Sequence, residues 1–303
     1  MDVRHLELLR ELADRGTLTG VAAATYRTPS AVSQQLRSAE RAAGVPLVEA
    51  HGRGVRLTRA GRILADGAVD VAEAMARVQR DLDALRDAPQ GLVSIGALPS
   101  AAEVLVPELL VRLLDTDIRI ELDDFDIAEA DFAGRAVDHD IVIGHTLTDD
   151  VPSDVGPLRR MTLAAEPLDV ALPAGHRLAG RPELMPEDVV GERWIGVPEG
   201  YPFDTVLIAI ENLTGRRIER VQQLRDNRVV EALVAAGLGL ALLPRFTTRP
   251  GPGVVTRPLV GVGAVRHIVA LSRRDIAERL SVVTVLDHLA DIGSGLSTRT
   301  DAG

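Results

Sequence analysis

The sequence predicts a chain of three parts: an N-terminal winged helix-turn-helix, a long coiled-coil linker helix, and a C-terminal α/β domain. Three observations carry this. Two short helical patterns flank the break "YRT" and lead into a hairpin pattern. An apolar heptad then runs without proline from Gly61 to Asp87. Beyond Gly91, short apolar strands alternate with helical stretches.

Residues 3–14 read as the first helix, with Leu6, Leu9 and Ala13 inward. The second starts near Thr19, a good N-cap, and runs through "GVAAAT" to Thr25. For the third, Thr28 caps by accepting from a free backbone N–H, and Pro29 suits the first helical position, where its missing donor is not needed. Val32, Leu36 and Ala39 form its apolar stripe. The opposite face carries Ser30, Ser33, Gln34, Arg37 and Arg41, with no acidic residue among them. Val45 and Leu47 alternate against Val55 and Leu57 around "HGRG", a hairpin with Arg53 at its tip. In such a winged unit, residues 1–60, the helix from Pro29 to Arg41 is the one that enters the major groove.

Leu64, Ala68, Val71, Met75, Val78, Leu82 and Leu85 step by 4, 3, 4, 3, 4 and 3. That 3.5-residue period is a coiled-coil seam, so the linker helix, residues 61–88, calls for a partner helix, most simply from a second copy. "APQG" ends it. In the remainder, 89–303, "LVSIGAL", "DIRIELDDF", "HDIVIGH", "EPLDVALP", "RWIGVP", "LALLP" and "VRHIVALS" read as strands, with helices over 100–114 and near 128–137. This length suits one large sheet or two smaller α/β subdomains.

Composition narrows the function. The 303 residues contain no cysteine, which rules out disulfides, thiolate metal sites and thiol nucleophiles, and fits a reducing cytoplasm. No secretory signal pattern and no long apolar run are present, so neither export nor membrane insertion is expected. The net charge of −10 argues against nucleic acid until it is divided. Residues 1–60 hold nine Arg against six Asp or Glu, a local +3, which leaves −13 for the other 243 residues. Such asymmetry is what a DNA-binding module attached to an acidic body shows, because phosphate attraction needs only a local basic surface.

These residues resemble the LysR-type transcriptional regulators. The likeness rests on "GTLTGVAAATYRTPSAVSQQLRSAERAAGVPLVEAHGRGVRLTRAG", on "GLVSIGALPS", and on the glycine-rich "LVAAGLGLALLPR" at 233–245. Departures exist: Thr25 and Arg27 replace apolar residues around the turn, Ala39 a leucine, Val48 an aromatic and Ala50 a basic residue. The resemblance implies a homodimer or homotetramer built on linker-helix pairs. It also implies an effector domain like a periplasmic solute-binding protein, with a cleft between subdomain I, about 91–164 and 267–292, and subdomain II, about 165–266.

For base readout Gln34 and Arg37 are the best candidates, since amide and guanidinium groups bond adenine and guanine edges bidentately, while Thr28, Ser30, Ser33 and Arg41 reach bases or phosphates. Arg53 suits the minor groove. In the body, Ser100 opens a helix whose free N–H groups attract an anion. Pro198, Glu199 and Tyr201 lie on the loop "VPEGYPF"; Asn227 starts a helix and His145 ends a strand. These six are the candidate effector contacts, for a small and possibly anionic molecule, and Trp194 reads as core. Gly237 and Gly239 suggest a tight return, because no GxGxxG or GK[ST] follows a strand. The seven His are scattered without metal or catalytic spacing, so no cofactor, metal or enzyme activity is expected. A ligand-responsive regulator on an inverted-repeat operator leads; a cytosolic small-molecule binding or transport-type protein with an N-terminal dimerisation module is the alternative.

Overall fold

The computed structural model describes residues 1–52, 54–85, 89–125, 132–148, 154–248 and 251–298. The chain divides into two compact units. The first comprises residues 1–87 together with 273–280; the second comprises 88–272 and 281–303.

In the first unit, α1 (Val3–Arg15) is capped by Asp2, which accepts from the His5 N–H at 3.1 Å. It ends at Gly16, whose φ of 66° suits a residue without Cβ. The next helix, α2 (Leu18–Ala24), is capped by Thr17, whose Oγ1 accepts from the Gly20 N–H at 3.0 Å. The cap is therefore Thr17 and not the expected Thr19, because the left-handed turn at Gly16 leaves the next residue extended at the helix start. On α1 the buried residues are Leu8, Leu9 and Leu12. Ala13, expected inward, is exposed and Leu6 only half-buried, since the true stripe lies one residue earlier. The third helix, α3 (Pro29–Ala43), buries Val32, Leu36 and Ala39 and has Thr28 as its cap. Strands β1 (Val48–His51) and β2 (Gly54–Leu57) pair antiparallel as the wing hairpin. Leu47 and Leu57 close the core beneath it, whereas Val45 is exposed.

Helix α4 (Arg59–Asp83) packs its first turns on α1, burying Ala65, Ala68 and Val69. Gly61 lets it approach the wing: a Cβ there would stand 2.1 Å from the Leu47 carbonyl oxygen. The expected seam is thus split. Leu64 and Ala68 serve their own unit, while Met75, Val78, Leu82 and Leu85 stand exposed. Residues 273–280 pack in this unit through charge pairs: Arg10 with Asp275 at 3.1 Å, Arg274 with Asp70 at 3.1 Å, and Arg80 with the buried Glu278.

The second unit is α/β. One sheet has the order β10 (Ala241–Pro244), β7 (Leu158–Pro173), β12 (Val265–Arg273), β5 (Ile141–Thr146), β3 (Gln90–Ala97), β4 (Asp117–Asp124). β3 is parallel to both β4 and β5, and β12 is antiparallel to β5. β11 (Val254–Pro258) and the two-residue β6 (Asp154–Val155) also pair with β7, whose sixteen residues connect the two subdomains of the sheet. A parallel pair, β8 (Arg193–Gly196) with β9 (Glu219–Gln223), belongs to the second subdomain. Its core gathers Leu168, Val170, Leu172, Trp194, Val206 and Ile210, and Trp194 donates its indole N–H to the Val189 carbonyl at 3.0 Å. Helices α5 (Pro99–Arg112) and α10 (Leu280–Thr298) accompany the first subdomain; the short α7 (Pro186–Val189), α8 (Pro202–Thr214) and α9 (Asn227–Ala235) accompany the second. Of the helix expected near 128–137, α6 (Phe132–Arg135) is present and residues 126–131 lie outside the described residues.

Candidate functional sites

The first site is the outer face of α3. Thr28 Oγ1 accepts from the Ala31 N–H at 3.2 Å and lies 3.0 Å from Ser30 Oγ, so both hydroxyls sit at the helix N-terminus. Gln34, Arg37 and Arg41 are exposed, Ser33 is half-buried, and none of these four side chains makes a hydrogen bond or ion pair among the described residues. Free donors, two unneutralised guanidinium charges and the positive end of a helix therefore share one surface. Gln35, not singled out from sequence, does the opposite: its Nε2 donates to the Arg4 carbonyl at 2.6 Å and its Oε1 accepts from Arg27 at 2.6 Å. This amide fixes α3 to the start of α1. Just before α3, Tyr26 holds φ at 53° and is 99% exposed. Arg53 lies outside the described residues.

The second site is a cavity of about 260 Å³ within the second unit, lined by the start of α5, the end of β5, the 197–203 loop, the start of α9 and β12. Ser100, His145, Tyr201 and Asn227 line it; Pro198 and Glu199 are not among its lining residues. The reason is local: Pro198 is folded into a turn, its carbonyl accepting from the Tyr201 N–H at 3.2 Å, and Glu199 at the turn's tip is exposed.

The centre of this cavity is a group that no motif announced. Arg266 is 1% exposed; its Nε donates to Glu166 at 2.8 Å, Nη1 to Ser100 Oγ at 3.0 Å and Nη2 to Thr247 Oγ1 at 2.8 Å. Glu166 also accepts from the Phe246 N–H at 2.5 Å and the Thr247 N–H at 2.7 Å. A charge taken wholly out of water requires this degree of pairing. Burial still pulls the Arg266 guanidinium down from its ordinary value, opposed by Glu166. Ser100 is consequently not the cap of α5. Leu98 holds the N-cap position without a side-chain bond, and the Ser100 hydroxyl is engaged by Arg266 instead. A charged residue inside the apolar run "VRHIVALS" was the available signal.

His145 shares the sheet face of Arg266: it pairs with Ile268 across β5 and β12, and residues two apart on a strand project to the same side. Its ring lies 6.1 Å from Phe132 and 5.4 Å from Phe203. Gly144 allows this, because a Cβ there would meet Phe132 at 2.6 Å. Burial, then the nearby Arg266 charge, push the imidazole down to about 3, so the ring is neutral at pH 7. At the mouth, Arg228 on α9 donates to Glu103 on α5 at 2.7 Å, and Arg225 donates to the Tyr201 hydroxyl at 3.2 Å. The two glycines after α9 are turn residues: Gly237 has φ of 77°, and a Cβ on Gly239 would stand 2.9 Å from the Arg193 carbonyl. Among the described residues no group of three or more His, Cys, Asp or Glu is placed to hold a metal ion, and no helix is long and apolar enough to cross a membrane.

Comparison with known proteins places the chain in a family. Residues 3–62 match the model of the bacterial regulatory helix-turn-helix protein, lysR family, and residues 86–293 that of the LysR substrate binding domain. The chain is 27% identical over 308 residues to the Hca operon transcriptional activator HcaR of Escherichia coli, covering 96% of this chain and 99% of that protein. A full-length OxyR variant from Pseudomonas aeruginosa superposes with a TM-score of 0.69 at 18% identity, covering 98% and 97% of the two chains. Full-length CbnR, solved with its target DNA, gives 0.55 at 17% identity, covering 97% and 100%. The chain belongs to the LysR family of bacterial regulators: it is a DNA-binding transcriptional regulator with a C-terminal effector-binding domain.

Proposed function

We propose that this regulator reads an inverted-repeat operator with Thr28, Ser30, Ser33, Gln34, Arg37 and Arg41, works as a homodimer or homotetramer in the cytoplasm, and responds to a small anionic molecule held at Ser100. The observation that carries the DNA reading is the free polar face of α3: Gln34 and Arg37 are exposed and unpaired among the described residues, while the neighbouring Gln35 is consumed inside the unit. Arg53 belongs to this proposal as a wing contact on sequence grounds alone. Oligomerisation is supported by Met75, Val78, Leu82 and Leu85, which leave an apolar stripe on α4 in water. Two neighbouring heads related by a twofold axis would require a twofold-symmetric operator.

The effector reading rests on Ser100 at the start of α5, beside the buried Arg266. His145, Tyr201 and Asn227 join it through the same cavity; Pro198 and Glu199 are left to shape the loop. A thiol-based redox response is excluded by composition, since there is no cysteine. The test is a mobility-shift titration with DNA from upstream of the chain's own gene. The wild-type protein should bind it over scrambled DNA, and a Gln34→Ala, Arg37→Ala double variant should lose that preference. Equal retention of both DNAs by the wild type would remove the proposal.

A further inference from the structure

We infer that residues 273–280 form an ionic clasp that braces the DNA-binding head, that the closed clasp favours DNA, and that β12 works the clasp from its far end. The clasp acts in this way whatever molecule the cavity takes. The first support is the course of the chain. Residues 273–280 belong to the first unit, although 272 and 281 belong to the second. Arg273, which opens the segment, is the last residue of β12, and Arg266 on the same strand lines the cavity about 23 Å of extended chain earlier. Between the two, β12 is hydrogen-bonded to both β5 and β7, so it moves as one rigid piece and carries a shift at Arg266 to the clasp.

The second support is the chemistry of the seat. On α1, Arg273 pairs with Glu11 at 3.5 Å and Asp275 with Arg10 at 3.1 Å. On α4, Arg274 pairs with Asp70 at 3.1 Å and with Glu73, and Glu278 with Arg80. Ile276 and Ala277, buried in a 3₁₀ turn, are the apolar part of the segment. Partly buried ion pairs return little net free energy, because desolvation of both charges offsets their attraction, so a seat held mainly by them opens at small cost. The closed state is also incompletely satisfied: Nε of Arg10 and Nε of Arg274 are buried without a hydrogen-bond partner among the described residues. Two states close in free energy are what a small bias shifts. The third support is what the seat braces. Gln35 ties α3 to α1 through the Arg4 carbonyl at 2.6 Å, and α4 packs on α1. Holding α1 and α4 removes motion that DNA must otherwise freeze out, so closing the clasp raises affinity without adding a contact to DNA.

The experiment exchanges the charges of Arg10 and Asp275 in the full chain. Arg10→Asp and Asp275→Arg each break the pair, but the first makes the chain more negative and the second more positive; the double variant restores both the pair and the net charge. Affinity for mixed-sequence duplex DNA at fixed salt should fall about fivefold or more in both single variants and return in the double variant. Phosphate attraction alone predicts a different pattern, weaker binding in Arg10→Asp and tighter binding in Asp275→Arg. Hydrogen exchange read by mass spectrometry follows the strand. Because coupling is reciprocal, saturating DNA should slow exchange of the 266–280 amides in the wild type and the double variant, and in neither single variant. Thermal unfolding of each protein confirms that it is folded, and the milder Glu278→Gln, which keeps shape and an acceptor oxygen towards Arg80, should show the same loss of affinity at smaller size. Unchanged affinity or opposite shifts in the two single variants, a double variant no better than either single one, or 266–280 exchange that DNA leaves unaltered in the wild type would overturn the inference.

Discussion

Arg266 Nη1 donates to Ser100 Oγ at 3.0 Å while its Nε holds Glu166 at 2.8 Å, so one fully buried guanidinium ties β12 to the first turn of α5 and to β7. The pair is expensive to break from either side. Arg266→Met would leave Glu166 buried with a negative charge and two backbone N–H bonds as its only compensation, and should destabilise the second unit by about 3–5 kcal/mol. Glu166→Gln, which keeps the shape and the acceptor oxygen, should cost less than Arg266→Met. Urea denaturation of the full chain checks the ordering; equal losses would mean that charge is not what holds this junction.

The neutral His145 gives the second unit a pH dependence of defined sign. Its value is about 6.5 in the unfolded chain and about 3 when folded, so on acidification the unfolded state takes up the proton first and stability falls. Burial is the larger cause, and the charge of Arg266 reinforces it. At pH 5 the penalty is on the order of 2 kcal/mol, absent at pH 8. His145→Phe should therefore gain on the wild type as pH drops from 7 to 5. Parallel stability curves for the two proteins would show that the imidazole is protonated in the folded state.

On α4 the exposed half of the heptad makes a clean assembly test. Leu82 is 44% exposed in the single chain, so Leu82→Asp costs the isolated fold little, yet in a helix pair it would bury an unpaired carboxylate. Light scattering at fixed concentration should report about half the native mass, with an unchanged circular dichroism spectrum. Native mass in the variant would assign assembly to another surface.

Gly61 shows how the head depends on close approach. Any Cβ there would press on the Leu47 backbone carbonyl at 2.1 Å, and backbone cannot rotate away as a side chain can. Gly61→Ala should destabilise the first unit by an amount typical of overpacking, about 1–3 kcal/mol, and weaken DNA binding on all sequences alike.

Much of this architecture was legible because it is local. Thr28, Pro29 and the stripe Val32, Leu36, Ala39 lie within twelve residues, and the structure uses them as the spacing implies. Where two local solutions competed, the reading slipped: Thr17 and Thr19 are both good caps, and the left-handed Gly16 decided between them. Ala68 fits the heptad, yet it is already buried in the single chain, whereas Leu82 on the same stripe is exposed. The centre of the cavity was illegible for another reason. Glu166 and Arg266 are 100 residues apart, and neither carries a motif. β9 "ERVQQ" and β11 "VVTRP" were missed because their polar residues hide the strand pattern.

The adjacent amides Gln34 and Gln35 allow the DNA proposal to be tested by contrast. Gln35 bonds the Arg4 carbonyl and Arg27 within the fold, whereas the Gln34 side chain is exposed and makes no hydrogen bond among the described residues. Removing Gln35 should therefore lower the melting temperature and weaken binding to operator and scrambled DNA equally, because it loosens α3 without touching a base. Removing Gln34 should leave the melting temperature where it is. If its amide pairs with a base edge, Gln34→Ala loses about 1–3 kcal/mol on the operator alone, and the preference at one base position relaxes. Arg37→Ala provides the third signature. A guanidinium that contacts phosphate reduces the slope of log K against log salt by about one ion per head, while one that reads guanine lowers specificity as well. Titrations of the three variants on operator and scrambled DNA at several salt concentrations separate these outcomes. A Gln34→Ala protein with wild-type discrimination would leave the outer face of α3 as solvated surface.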